Sequence, residues 1–452
     1  MELQDKKIGI WGYGLTGKAA ANFVHERGAQ VTVLDQKPPY GRDEPWQFVR
    51  ENNKNRDVFL DSNDLIIPSP GIDIAPYLAT HRGKWLSELD LFVRFNQTPT
   101  IAITGSLGKT TVTTLLTRLL NAYGVSARAC GNIGTPVLNL LPPSPQPDQL
   151  VLECSSFQLE HCQQFAPDLA IVTNLVENHL DRHQTMAAYF AAKSKIFAHQ
   201  RDGQHALVPL ELAERARAVT NKPLCFTHGT EPSAQEKKML RHNDTLYYLG
   251  GTLVVGKGKI IADIAQFPSI TFAHNWLTIC AALDQLGLDL TQLPRLVDGL
   301  SAPPHRLERV SFRDGITVYN DSKSTAPAAT LAAIDQLNHP QLILFLGGLS
   351  KGIDREPLIR NLAGRVRAIY CFGGEAQELH HMCRQRKILS STHETLEDAW
   401  RQYTQRCVRG DCVLFSPAGS SFDLFKNFEK RGNQFKKLVV KSAKVMPPVN
   451  VH

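Results

Sequence analysis

The sequence predicts an α/β protein of three domains. These are an N-terminal Rossmann-like domain over residues 1–96, a central P-loop ATPase-type domain with a mostly parallel sheet and a small antiparallel addition over 97–300, and a C-terminal Rossmann-like domain over 301–452. Three observations carry the prediction. The 452 residues suffice for about three domains. Short apolar runs alternate with helix-like stretches, as in βαβ units. Two connections, the polar NQTPT from Asn96 and the proline-bearing SAPP from Ser301, divide these runs into three groups.

In the first group KIGIW reads as a strand. It enters Gly12-x-Gly14-x-x-Gly17 and then a helical pattern through Ala19, Phe23 and Val24 that stops at Gly28. VTVLD is the next strand, ending at Asp35, and DLIIPSPG is a later strand with its loop. In the second group TIAIT leads into the loop Gly105 to Thr110, and TVTTLLTRLLNAYG reads as a helix ending at Gly124. VLEC at Val151 and LAIVTNL at Leu169 are continuously apolar, as strands buried on both faces are. From Thr245, β-rich runs separated by Gly-Gly and Gly-Lys-Gly predict antiparallel hairpins added to the main sheet, followed by a helix from Asn275 to Leu286. In the third group Asp314-Gly315 marks a hairpin between VSFR and ITVYN, and LILFLGG, AIYCFGG and CVLFSPAG read as strands.

Composition narrows the function. With 42% hydrophobic and 21% charged residues the chain is neither disordered nor collagen-like. The excess of 7 basic residues suits anionic small molecules but is spread too thinly to argue for nucleic acid. No run approaches the ~18 apolar residues of a spanning helix. The start, MELQDKKIGIWGYG, lacks the succession of a signal peptide, so no integral membrane segment and a cytoplasmic setting are expected. Nine cysteines without a C-x-x-C pair suggest neither a disulfide framework nor a zinc site.

Two loops suit phosphate. The first three glycines, with Asp35 ending the next strand, have the context of a dinucleotide fingerprint, in which backbone approaches a diphosphate and the acid takes ribose hydroxyls. Taken alone this fits a nicotinamide or flavin enzyme, another nucleotide diphosphate, or a plain tight turn. Gly105-Ser-Leu-Gly-Lys109-Thr110-Thr111 places a lysine for transferring phosphates and a hydroxyl for magnesium, although Ile103 stands where the longer P-loop pattern has glycine. A dehydrogenase does not need the second loop and a simple ATPase does not need the first. An enzyme that holds a nucleotide-linked substrate and spends ATP on it needs both.

With these loops in place the chain resembles the Mur ligase family along its whole length. The resemblance rests on Gly14-Leu-Thr-Gly17, Ser69-Pro-Gly71, the Gly105 loop, Gly131-Asn-Ile-Gly134, Glu153-Cys-Ser-Ser-Phe-Gln-Leu-Glu160, Asn174-Leu-Val-Glu-Asn-His-Leu-Asp-Arg182, Ala192-Lys193, His274-Asn275, His305-Arg306, Asn320-Asp-Ser-Lys323, Leu346-Gly-Gly348, Lys351-Gly352, Ser416-Pro417 and Asn427-Phe-Glu. It implies an amide ligase of peptidoglycan precursor synthesis with UDP-N-acetylmuramoyl-L-alanine and D-glutamate as partners, acting as a monomer. ATP phosphorylates the alanine carboxylate, the glutamate amine attacks the acyl phosphate, and ADP and phosphate are released.

The resemblance also implies the site. Lys109, Glu153, His179 and Lys193 form the catalytic set. ATP is expected at Gly105, Ser106, Leu107, Gly108, Lys109, Thr110 and Thr111, with Asn275, Arg306, Asp321 and Lys323. Two magnesium ions are expected at Thr110, Glu153, His179 and Lys193, the lysine bearing a carbamate whose anionic oxygen suits the metal. The UDP substrate is assigned to Leu15, Thr16, Asp35, Ser69, Gly71, Asn132 and Ser155, and glutamate to Thr325, Lys351, Ser421, Phe422 and Phe428. No NAD is expected, and the domains are expected to close over the ligands.

Read singly, His179 would more often be an ordinary histidine, Lys193 a solvated side chain, Asp321 a helix cap, and Phe422 and Phe428 plain core. Many relatives have asparagine where this chain has Leu107, Thr278 and Ala326, aspartate at Asn178 and leucine at Pro303. Leu107 and Thr278 lie beside expected ATP contacts. Related ligases take other amino acids, L-glutamate among them. A nicotinamide-dependent oxidoreductase and a non-catalytic nucleotide sensor are the rivals from other classes.

Overall fold

The computed structural model describes residues 2–38, 44–141, 146–313, 315–350 and 352–445. Asp314 and Lys351, both singled out above, lie outside the described residues. The chain divides into two compact units. The first comprises Met1–Leu175, Ala187–Phe267 and Ala273–Val297, and the second Val176–Met186, Pro268–Phe272 and Asp298–His452.

The first unit holds two sheets. In one, β1 (Lys7–Trp11), β2 (Gln30–Asp35), β3 (Gln47–Arg50) and β4 (Leu65–Pro68) pair in parallel in the order β3-β2-β1-β4. The helix Leu15–His25 crosses from β1 to β2 and buries Ala19, Phe23 and Val24, the apolar positions read from the sequence, together with Ala20 and Ala21. The second sheet contains β5 (Thr100–Thr104), β6 (Ala127–Gly131), β7 (Gln149–Glu153), β8 (Leu169–Val172), β9 (His205–Pro209), β10 (Cys225–His228), β11 (Thr245–Gly250), β12 (Leu253–Gly256) and β13 (Lys259–Asp263). Its order is β13-β12-β11-β10-β9-β8-β5-β7-β6, with β12 and β13 antiparallel at one edge as expected and every other pair parallel.

Every residue of β5 and β7 is buried, which is why these runs are apolar without alternation. The strand expected over LAIVTNL ends at Val172, because Thr173 and Asn174 turn away to bond the loop after β5. One apolar core runs through both sheets, joining Ile10, Phe23 and Val24 to Leu89 and Phe92 of the helix Glu88–Phe95 and to Val137 and Leu152. The polar connection at 96–100 therefore links two regions that share packing.

The second unit holds β14 (Glu308–Arg313), β15 (Ile316–Asn320), β16 (Leu342–Gly347), β17 (Ala368–Phe372), β18 (Ser390–His393) and β19 (Cys412–Phe415), in the order β14-β15-β19-β16-β17-β18. Only β14 is antiparallel to its neighbour. One face buries Leu344, Leu346 and Ile369, and the other packs Phe345, Trp400, Tyr403, Phe415 and Phe435, with the Phe415 and Phe435 rings stacked 4.2 Å apart. Among the described residues no helix is long and apolar enough to cross a membrane.

The turn from β1 into its helix is fixed by close approach. A Cβ on Gly17 would lie 1.9 Å from the Gly12 carbonyl oxygen. Gly17→Ala is therefore expected to cost about 1–3 kcal/mol as the helix shifts outward, read as a lower thermal midpoint by circular dichroism. An unchanged midpoint would show that the loop absorbs the methyl group.

Candidate active site

In the second sheet β5 is flanked by β7 on one side and β8 on the other, although β6 follows it in sequence. The strand order reverses there, and ligands of open α/β sheets bind at such a point, outside the carboxyl ends of the strands. Ile103 of β5 lies level with Glu153 of β7 and Ile171 of β8, so the three following loops emerge side by side.

The loop after β5 carries Gly105, Ser106, Leu107 and Gly108, and the helix Lys109–Ala122 starts immediately after it. Gly105 has φ +143 and Gly108 φ +81. A Cβ on Gly105 would meet Thr173 Oγ1 at 2.0 Å, and one on Gly108 would meet Asn275 Oδ1 at 2.5 Å, so glycine is required at both. The segment after β8 pins the loop. Thr173 Oγ1 and Asn174 Nδ2 donate to the Leu107 carbonyl at 2.6 and 3.1 Å, and Asn174 Oδ1 accepts from the Leu107 N–H at 2.9 Å. Lys109 Nζ donates to the carbonyls of Gly105 and Ser106 at 2.8 and 3.1 Å. The result is a left-handed glycine cradle at the N-terminus of a 14-residue helix, with a lysine at its rim and the hydroxyls of Thr110 and Thr111 in the first turn. It fits a polyphosphate.

Lys193 lies on the helix Met186–Ala198 and is only 2% exposed. Its Nζ donates to the Gly105 carbonyl at 2.8 Å and to Thr104 Oγ1 at 3.4 Å, and it sits 4.5 Å from the centre of the Tyr189 ring. Burial, then the nearby charge of Lys109, drive its pKa well below the ordinary lysine value. Glu153, 2% exposed at the end of β7, accepts from Asn132 Nδ2 at 2.7 Å. With Thr110 it offers the hard oxygen donors that magnesium prefers. His179 belongs to the second unit and caps the short helix Leu180–His183 in a left-handed conformation, φ 55, with its N–H donating to Asn178 Oδ1 at 3.0 Å. Asn275 is buried on the helix Ala273–Gln285, and Thr278 donates its hydroxyl to the His274 carbonyl within that helix.

The first sheet supplies another cradle. Ser69 Oγ donates to the Gly12 carbonyl at 2.9 Å and ties the loop after β4 to the glycine loop. Added Cβ atoms on Gly14 and Gly71 meet nothing within 4 Å, and Leu15 is 79% exposed, so this surface is open. Thr16 sits beside them, half-buried. Asp35 Oδ2 accepts from the Tyr13 N–H and Oδ1 from the Lys37 N–H, each at 2.7 Å. The acid expected at ribose thus also shapes the glycine loop. Ser155 caps the short helix Ser156–Leu159 and shares a capping box with Gln158.

In the second unit the strand order reverses between β16 and β19. Their loops are tied by paired Leu349 and Ser420 backbone bonds of 3.0 and 2.8 Å. Two buried arginines brace them. Arg355 donates to the Gly348 carbonyl at 2.9 Å, and Arg431, with no exposed surface, donates to those of Gly419 and Ser322 at 2.9 and 2.8 Å. Ser421 is buried on the second loop and Phe422 is 69% exposed beside it. Thr325 is half-buried. The Lys323 ammonium lies 3.8 Å from the centre of the Phe428 ring. Asp321 is buried, with Oδ2 accepting from the hydroxyls of Ser324 and Ser416 and Oδ1 from the N–H of Leu307, next to the half-buried Arg306. Burial pushes its pKa up to about 6, against these hydrogen bonds.

Sequence reasoning missed Thr173 and Asn174 as loop anchors, Tyr189 as the ring against Lys193, and the two arginines. Tyr189 was detectable, since it stands four residues before Lys193 on one helix. The arginines carried no signal, because a buried guanidinium is rare and nothing in its neighbours announces one.

Comparison with known proteins agrees with this geometry. The family model described as the Mur ligase middle domain matches residues 103–283, and that of the Mur ligase glutamate ligase domain matches residues 305–419. The chain is 34% identical to the UDP-N-acetylmuramoylalanine–D-glutamate ligase of Geotalea uraniireducens and 35% identical to that of Escherichia coli K12, in each case over 97% of this chain and 98% of the relative. Among solved structures, a MurF ligase from Thermotoga maritima in complex with ADP superposes with a TM-score of 0.60 at 17% identity, over 98% of this chain and 96% of that one. Identity of this extent across both units means that the chain belongs to the Mur ligase family, among its UDP-N-acetylmuramoylalanine–D-glutamate ligases.

Proposed function

We propose that the chain joins D-glutamate to UDP-N-acetylmuramoyl-L-alanine through an acyl phosphate made from ATP, in the cytoplasm and as a monomer. The observation that carries this reading is the convergence of Lys109 and Lys193 on the Gly105 carbonyl at the start of the helix Lys109–Ala122. The names of the relatives support the two substrates, and the ADP in the Thermotoga structure supports the nucleotide. The nine cysteines, all free thiols, suit a reducing compartment.

In this reading residues 1–96 hold the UDP substrate, 97–300 hold ATP and 301–452 present glutamate. The amides of 105–111 and Lys109 bind the ATP phosphates, with Asn275, Arg306, Asp321 and Lys323 serving base, ribose or phosphate. Leu15, Thr16, Asp35, Ser69, Gly71, Asn132 and Ser155 serve the UDP substrate, and Thr325, Lys351, Ser421, Phe422 and Phe428 serve glutamate. Thr110 and Glu153 would hold one magnesium, and His179 with a carbamate on Lys193 a second. Bound there, the metal neutralises charge on the transferring phosphoryl group. The depressed pKa of Lys193 supports the carbamate, because only a neutral amine adds carbon dioxide. Lys109 exchanges its loop carbonyls for phosphate oxygens. The substrate carboxylate then takes the γ-phosphoryl group, and the glutamate amine displaces phosphate from the acyl carbon while losing a proton.

Phosphate release from ATP with UDP-N-acetylmuramoyl-L-alanine should require D-glutamate, and L-glutamate or no amino acid should give only background. Turnover independent of glutamate would sink the reading. Lys109→Ala should lose about 10²-fold or more in kcat through lost charge stabilisation. Lys193→Ala should lose a similar factor and recover part of it with added short carboxylic acids. Normal activity of Lys193→Ala would remove the carbamate from the scheme.

A further inference from the structure

The helix Glu88–Phe95 of the first unit begins with two buried acids that the reaction as proposed leaves unused. Ser87 caps this helix by accepting from the Asp90 N–H at 3.0 Å. Asp90 in turn accepts the N–H groups of Gln163 and Gln164, the closest contacts being 2.8 and 2.7 Å. Glu88, 4% exposed, accepts from Gln158 Nε2 at 3.5 Å, and the backbone N–H of Val137 acts on its carboxyl group electrostatically. Among the described residues its Oε1 is buried without a hydrogen-bond partner. Gln158 Oε1 accepts both the N–H and the hydroxyl of Ser155 at 3.0 Å. Glu88 also lines a cavity of about 20 Å³ with Ser69, Ile72, Phe157, Gln158 and His161, which is room for one water.

Glu88 thus stands where three segments come together. They are the loop of Ser69, the stretch from Asn132 to Val137 and the turn of Ser155. We propose that Glu88 is a positioning residue for the nucleotide-linked substrate, holding Val137 and Gln158 so that Asn132 and Ser155 stay registered against the Ser69 loop. The inference rests on the assignment of those three residues to that substrate.

Among the described residues Glu88 has no ion-pair partner, although His161 lines the same cavity. The ionisable groups facing this corner are Cys130 from β6, Cys154 after β7, Asp90 on its own helix, and Cys162, Glu160 and His161 on the turn beyond, with Glu153 and Lys195 behind them. Burial pushes the Glu88 carboxyl up to about 7, against the opposing effect of Gln158 and the Val137 N–H. The native state therefore holds an extra proton above the ordinary value of 4.5, and the stabilisation is lost as pH rises through about 7. Protonated, the group gives Oε1 a hydrogen to donate into the cavity. Ionised, it must draw water in.

The test is steady-state kinetics of wild type, Glu88→Gln and Glu88→Met from about pH 6 to 8. D-glutamate-dependent turnover of the wild type checks the underlying reaction separately, and its absence defeats that reading before Glu88 is considered. Given turnover, the wild-type KM for UDP-N-acetylmuramoyl-L-alanine should rise through neutrality. Glu88→Gln should keep the low KM and flatten its pH dependence. Glu88→Met should raise that KM about tenfold while the KM values for ATP and D-glutamate stay within about twofold. The inference is overturned if Glu88→Met leaves the KM unchanged, if all three KM values shift together, or if Glu88→Gln keeps the wild-type pH profile.

Discussion

Two amines converge on one carbonyl. Lys109 and Lys193 both donate to the Gly105 oxygen at 2.8 Å, one from the helix that starts at the loop and the other from a helix much later in sequence. Two unit charges a few ångströms apart repel by about 4 kcal/mol at an intermediate dielectric. Lys109 is half-buried and Lys193 is almost wholly buried, so the cost falls on Lys193. Burial first, and the charge of Lys109 second, hold its pKa well below the ordinary lysine value. The hydroxyl of Thr104 and the ring of Tyr189 surround that amine, while the glycines at 105 and 108 leave room for Thr173 and Asn275.

The second unit meets a comparable demand with arginine. Its loops at Gly348 and Gly419 also leave the strands where the sheet order reverses, and their carbonyls also point inward. Arg355 and Arg431 take those carbonyls. A guanidinium stays charged where an ammonium does not, and its planar fork spans several acceptors at once. Burial lowers the pKa of Arg431 only to about 10, so its charge persists at neutral pH. Lysine beneath the first cradle leaves chemistry available, whereas arginine beneath the second gives fixed geometry.

The fold was legible because it depends on period and punctuation. Unalternated runs became the central strands β5 and β7, and Gly-Gly and Gly-Lys-Gly became the turns of the antiparallel edge. Side-chain commitments were less legible. Lys193 read singly belongs in solvent, yet Tyr189, Ile196 and Phe197 around it form a buried stripe on its helix, and the lysine lies on that stripe. Asp35 fits the fingerprint spacing, but spacing could not reveal that both its oxygens bond backbone amides. Thr173 and Asn174 looked like the end of a strand because their role depends on a loop some 70 residues earlier. Long-range hydrogen bonds leave no periodic trace.

Asp321 shows how such a bond changes a residue's meaning. Arg306 stands between His305, φ 64, and Leu307, φ 46, both left-handed without being glycine. A bulky side chain in that region costs on the order of 1–2 kcal/mol, so each residue needs a restraint. The N–H of His305 goes to Glu308 Oε2 at 2.9 Å, and its carbonyl accepts from the Lys323 N–H at 3.1 Å. The N–H of Leu307 goes to Asp321 Oδ1 at 3.2 Å. Asp321, itself held by Ser324 and Ser416, therefore fixes the backbone beside Arg306. Removing its carboxylate would release a strained turn and leave two buried hydroxyls without their acceptor. A carboxyl group expected at the nucleotide is thus the restraint on the backbone beside a neighbouring cation.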